Sequence, residues 1–264
     1  MTHLPSVFIS HGAPTFAIEP GRAGPLLRQL ALSIARPRAV LVFSPHWMTE
    51  KVELGFAQQP ETIHDFGGFP EELYRIQYPA PGSPEVAARA VALLESAGWP
   101  VLANTQRGLD HGAWVPVRHM FPEADVPVLQ VSMPHTLDGA SALALGRALA
   151  PLAQEGVLIV GSGSLTHNLG EFRGGRVTEP APYAVEFVQW ARNAVQAHDG
   201  TALASYLDRA PHAMRAHPSS DHYLPLPFAF GASPENAPVQ VIDGGILYGM
   251  LSMEAYVFGG RPVQ

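Results

Sequence analysis

Ala39-Val40-Leu41-Val42-Phe43-Ser44-Pro45-His46-Trp47 is the stretch on which the fold turns. Its opening run is apolar without interruption and rich in β-branched side chains, which marks a strand. A strand with one wet face alternates polar and apolar residues. An unbroken run is covered on both faces, as in a largely parallel sheet flanked by helices. Working outward, similar runs lie at Ser6–Ser10, 126–132 and 156–162, with a further strand at 52–57.

Helical patterns separate these runs. Residues 24–35 carry Leu26, Leu27, Leu30 and Ile34 at helical spacing. The segment 84–97 is opened by Ser83 as cap, with Pro84 at the first helical position. Residues 140–153 are rich in Ala and Leu, 182–197 form a long helix and 201–209 a shorter one, before closing strands at Val239–Ile242 and Ala255–Phe258. Strands alternating with helices predict one α/β domain over 1–264, with a largely parallel or mixed central sheet and helices on both faces. Residues 58–83 hold Gly, Pro and aromatic residues without a period and read as a long functional loop.

Composition narrows the function. With 264 residues, 47% hydrophobic and 15% charged, the chain is globular and needs no disulfide or structural metal as a staple. Net charge is -7 and no Lys/Arg block stands out, which argues against a nucleic-acid partner. There are no cysteines, so thiolate metal sites and Cys nucleophiles are excluded, and any metal must be held by His and carboxylates. Neither a secretory signal nor an apolar run of membrane-spanning length is visible, so a cytoplasmic location is expected.

The 12 histidines are informative by position. His11 follows the first strand, in Ser10-His11-Gly12-Ala13-Pro14-Thr15; His46 follows the second, in Ser44-Pro45-His46-Trp47; and the 156–162 strand runs into Gly163-Ser164-Leu165-Thr166-His167-Asn168. In an open α/β sheet the C-terminal edge of the strands is where ligands bind. His111, in Gly108-Leu109-Asp110-His111-Gly112-Ala113-Trp114, and His222, in Asp221-His222-Tyr223-Leu224-Pro225-Leu226, each follow an Asp able to orient an imidazole. A lone His among apolar residues is ordinarily a hydrogen-bonded core residue. Five in Gly/Ser/Pro-rich turns point to a metal site. Competing motifs are absent: there is no HExxH, P-loop or dinucleotide fingerprint. Gly161-Ser162-Gly163-Ser164 follows a strand but is too short for a nucleophile elbow.

These segments, in this order between positions 10 and 227, resemble the class III extradiol ring-cleavage dioxygenases, in the branch of DOPA 4,5-dioxygenase-like proteins. The resemblance implies an enzyme that inserts both atoms of O2 into a DOPA-like catechol. It implies Fe(II) held by His11, His46 and His222. His167 matches the family's acid–base histidine, which also serves as a fourth ligand when Zn(II) occupies the site. His111 matches a histidine lining the substrate and oxygen pocket. Tyr223, beside a ligand, is a candidate pocket wall, and Phe66, Phe69, Tyr74 and Tyr78 are expected chiefly to pin the 58–83 loop to the core. Two rival readings follow from the residues. A zinc hydrolase would need Asp110 or Asp221 as general base. A non-catalytic binding protein on the same scaffold would have no use for His167.

Overall fold

The computed structural model describes residues 3–172 and 179–259. Among them, eight strands form one mixed sheet in the order β4-β3-β5-β2-β6-β1-β10-β7. Its centre is β5 (Val128–Pro134), β2 (Ala39–Thr49), β6 (Val157–Gly163) and β1 (Ser6–Ser10), all parallel. On one side β10 (Ala255–Phe258) pairs antiparallel with β1, and β7 (Val239–Ile242) antiparallel with β10. On the other, β3 (Val52–Gly55) meets β5 antiparallel and β4 (Val101–Asn104) runs parallel to β3. A two-stranded ribbon, β8 (Ile246–Leu247) and β9 (Leu251–Ser252), stands apart.

The helices are α1 (Ala23–Ser33), α2 (Pro84–Ser96), α3 (His111–Met120), α4 (Gly139–Leu149), α5 (Pro151–Gln154), α6 (Pro182–Gln196), the short α7 (Gly200–Ala204), α8 (Tyr206–Arg209) and α9 (Ala213–Ala216), and α10 (Pro225–Gly231). The unbroken strands divide their side chains between two layers, as the pleat requires. Val40 and Val42 join Leu27, Trp114 and Val117 on one face. Leu41 and Phe43 join Ala87, Leu145 and Phe228 on the other. A third cluster gathers α6 against Tyr256 and Phe258 of β10. No helix among the described residues is long and apolar enough to cross a membrane.

The structure departs from the sequence expectation at identifiable points. The 140–153 helix is two, broken where Pro151 begins α5, because proline cannot donate to the turn before it. The 201–209 helix is likewise split, at Ser205. Strand β2 runs on past Ser44 to Thr49 with a register shift between Phe43 and Met48, so His46 sits in an irregular strand end. Helices α3 and α10 were not expected: each contains proline inside its span or first turn, and each is buried almost throughout, so no amphipathic period marks it. Strand β4 has four residues and lies mostly outside the core, so its apolar run is too short to mark a strand.

Close packing of α10 on β6 explains Gly161 and Gly163. A Cβ at Gly161 would lie 2.1 Å from the Pro225 carbonyl oxygen, and one at Gly163 would lie 2.3 Å from that of His222. These glycines therefore let the His222–Pro225 backbone lie directly on the sheet. Gly161→Ala should force that backbone away at a cost of about 1–3 kcal/mol. Thermal unfolding followed by circular dichroism should show Tm lower by several degrees.

His217 is a core histidine. It is 1% exposed, and its Nε2–H donates to the Leu165 carbonyl at 2.9 Å. Burial pushes its pKa down from 6.5 to about 4. The unfolded imidazole therefore takes a proton first as pH falls, and stability is lost between about pH 6.5 and 4. At pH 5 this group alone should cost about 2 kcal/mol. Urea unfolding at pH 7 and pH 5 checks it: His217→Gln, which keeps an N–H donor, should lose less stability on acidification than the parent chain does.

Candidate metal centre

The C-terminal edge of the parallel strands carries the histidines. His11 follows β1 directly, and its backbone N–H donates to the Gly163 carbonyl at 2.9 Å. Its ring is held from behind: Nδ1 lies 3.0 Å from Ser162 Oγ, and the Ser162 hydroxyl donates to the Gly112 carbonyl. A hydroxyl that has spent its one proton must accept from His11 Nδ1–H. The lone pair of His11 is thereby left on Nε2. His222 is fixed twice. Its carbonyl accepts from Ser164 N–H at 2.9 Å, and its Nδ1–H donates to Asp221 Oδ2 at 2.6 Å. Its free lone pair is again on Nε2. His46 is anchored through its backbone, where its carbonyl accepts from Arg107 Nη2 at 2.9 Å. Its Nε2 stands 3.1 Å from His11 Nε2.

Ligand atoms of His11, His46 and His222 all lie within 4.8 Å of one another. Two nitrogens each about 2.0–2.1 Å from one ion, at an angle near a right angle, are separated by about 3 Å. The His11–His46 spacing fits that arrangement. Burial, reinforced by the neighbouring histidines, holds His11 well below its ordinary pKa and brings His46 down to about 4. Burial also brings His222 down to about 3, against the opposing pull of Asp221. All three rings are therefore neutral at neutral pH, the state in which imidazole can bind a metal. Three nitrogen donors with no thiolate suit a divalent first-row metal such as iron or zinc.

His167 stands beside this group and outside it. Its ring lies parallel to that of His222, with centroids 3.6 Å apart and an interplanar angle of 5°. Its backbone N–H is fixed on the Ala216 carbonyl at 2.8 Å. Burial lowers its pKa, with Asp221 pulling the other way. His111 opens α3, whose N-cap is Asp110. Its ring lies 4.0 Å from that of His46 and 5.4 Å from that of His11, centroid to centroid. The structure thus brings together all five histidines singled out from the sequence.

Tyr223 is a correction. It is fully buried, donates its hydroxyl to the Leu203 carbonyl at 2.9 Å and stacks on Tyr206. It is a core residue, packed among Phe187, Tyr206 and His217. Asp110 is also spoken for: it accepts from Ser44, Gln130, Arg107 and the Ala113 backbone. Asp221 is engaged by His222. Neither carboxylate is free to act as general base, which counts against a zinc hydrolase.

The 58–83 loop does more than pin itself to the core. Tyr78 does pin it, donating to the Phe121 carbonyl at 2.8 Å. Phe66, however, presents to His111 edge to face at 5.6 Å. Beside it is Asp65, unrecognised in the sequence. Its Oδ2 lies 2.9 Å from His111 Nδ1 and 3.5 Å from His46 Nδ1. Burial pushes the Asp65 carboxyl up, but hydrogen bonds from His111 and the nearby imidazoles outweigh it and hold the group at about 2. Ser162 and Arg107 also went unrecognised as supports.

Comparison with known proteins agrees with this geometry. The family described as the catalytic LigB subunit of aromatic ring-opening dioxygenase matches residues 1–259. A Beta vulgaris protein named 4,5-DOPA dioxygenase extradiol is 41% identical, with 95% of each chain covered. An Escherichia coli (strain K12) protein of the same name is 36% identical over 98% of this chain and 96% of its own. The crystal structure of an uncharacterized E. coli K12 protein, JW3007, superposes with a TM-score of 0.79 at 29% identity, covering 97% of this chain and all of that one. Fold, site and sequence converge: the chain belongs to the LigB family of aromatic ring-opening dioxygenases.

Proposed function

We propose that this protein opens the ring of a DOPA-like catechol with O2, outside the two hydroxyls, using Fe(II) held by His11, His46 and His222. The observation that carries the reading is the convergence of these three neutral imidazoles, two buried and one half-buried, beside His167 and His111. When bound, the iron would supply a dication with no carboxylate among its proposed ligands, which favours the catecholate anion, and open positions for the two reactants. Zn(II) competes for the same nitrogens. We extend the proposal to a single catalytic unit over 1–264 working in the cytoplasm.

The chain's own groups account for the remaining steps. The ring nitrogens of His167 have no hydrogen-bond partner among the described residues, so they are free to take a hydroxyl proton from the substrate and return it to the opened product. Its parallel stacking on His222 sets the direction in which they face. Phe66 offers an apolar edge beside His111, suited to a flat aromatic ring.

Three measurements test this. Anaerobic loading with Fe(II), followed by air and a catechol, should give oxygen uptake and a yellow ring-opened product, with a zinc-loaded sample inactive. No uptake from stoichiometrically iron-loaded protein with any catechol tried would overturn the reading. His167→Ala should keep its iron while kcat falls by roughly 10²–10⁴-fold, the range of acid–base contributions. Full activity in that variant would remove His167 from the chemistry. His222→Ala should fail to retain stoichiometric iron after desalting, as measured by metal analysis.

A further inference from the structure

We propose that Asp65 is a positioning residue that fixes the proton of His111 on Nδ1, so that His111 accepts a hydrogen bond from a free hydroxyl of the substrate. This rests on the function proposed above and assigns a direction to one of its contacts.

Asp65 meets His111 at two points. Oδ1 accepts from the His111 backbone N–H at 2.8 Å, and Oδ2 lies 2.9 Å from Nδ1. A carboxylate has no proton to give, so Nδ1 must be the donor. In its neutral form the ring carries its lone pair on Nε2, for which there is no hydrogen-bond partner among the described residues. This atom can accept from an O–H. It cannot donate to an ether, a carbonyl or dioxygen while the ring is neutral. The same Oδ2 lies 3.5 Å from His46 Nδ1, too far for a hydrogen bond such as it makes with His111.

The loop holding Asp65 is strapped in place. Ile63 N–H donates to the Leu109 carbonyl and Leu109 N–H to that of Glu61, both at 2.8 Å. Trp114 Nε1–H donates to the Ile63 carbonyl at 3.0 Å, and Tyr78 N–H to Thr62 Oγ1 at 2.9 Å. A Cβ at Gly108 would lie 2.3 Å from the Glu61 carbonyl oxygen, so the close approach depends on glycine there. These bonds fix the backbone of residues 61–63, immediately before Asp65. The carboxylate is thus delivered to His111 already oriented, as a partner that sets a tautomer has to be.

Asp65→Asn separates this role from a structural one. The side-chain oxygen can still accept from the His111 backbone, while the amide –NH2 replaces the acceptor facing Nδ1. A neutral His111 then has to carry its proton on Nε2. In zinc-loaded protein labelled with ¹⁵N-histidine, long-range ¹H–¹⁵N correlation reads the tautomer, with the His111 signal assigned by its loss in His111→Gln. The expected result is Nδ1–H in the parent and Nε2–H in Asp65→Asn. Zinc stoichiometry should be unchanged, Tm should stay within a few degrees, and anaerobic catechol binding should be weaker by about tenfold, the scale of one lost hydrogen bond. In iron-loaded protein the loss should fall on KM more than on kcat. Asp65→Glu, which restores a carboxylate, should recover Nδ1–H and part of the affinity.

An Nε2–H tautomer in the parent overturns the proposal, and that measurement stands even if Asp65→Asn fails to fold. Unchanged catechol affinity in a folded Asp65→Asn with an inverted tautomer also overturns it. Tautomer and affinity are both read without oxygen, so they judge Asp65 independently of turnover. Absence of oxygen uptake in the iron-loaded parent would count against the proposed function alone.

Discussion

The rest of the structure is organised around one costly contact, the meeting of unprotonated imidazole nitrogens in a buried space. His11 and His46 face each other at 3.1 Å, nitrogen to nitrogen, and His222 completes the group. Bringing lone pairs together away from water is unfavourable unless a cation draws on all of them. The fold has to hold the rings in that arrangement from behind. It does so with a hydroxyl for His11 and a carboxylate for His222. The backbone supports lie one step further out: the Gly163 carbonyl under His11, the Ser164 amide under His222 and the Arg107 guanidinium under His46.

Strand β6 ties these supports together. It lies between β2 and β1, and so between the strands that deliver His46 and His11. Ser162 on it steadies His11, while Gly161 and Gly163 let the His222 segment and α10 lie against it. The Gly-Ser-Gly-Ser motif, which in other settings suggests phosphate binding, serves here to bring backbones close. Its glycines make room for carbonyl oxygens and its first serine fixes a tautomer.

Much of this was legible in the sequence, for reasons that also explain what was not. Unbroken strands such as 39–43 reveal a sheet covered on both faces because burial leaves no alternation. The five histidines stand out because they sit at strand ends and helix starts in turn-rich segments. Helix α10 was hidden because a helix buried all round has no period, and its prolines at the N-terminus look like a loop. Tyr223 was misjudged because sequence adjacency to His222 says nothing about side-chain direction. Asp65 escaped because its importance is tertiary: one acid in an irregular loop, meaningful only once Ile63 and Leu109 bring it to His111.

The sheet order has a consequence for biosynthesis. Strand β1 is made before the other strands of the sheet, yet its neighbours are β6 and β10, formed by residues 157–163 and 255–258. His11 therefore waits for a partner strand about 150 residues downstream, and the site gains its last imidazole only when residue 222 has been made. Contacts so distant along the chain close late in folding. A nascent chain thus exposes β1 as an apolar, unpaired strand until residues 157–163 have been made, the kind of edge that chaperones cover. For the same reason, the three histidines that could hold a metal ion come together only when the fold is nearly complete.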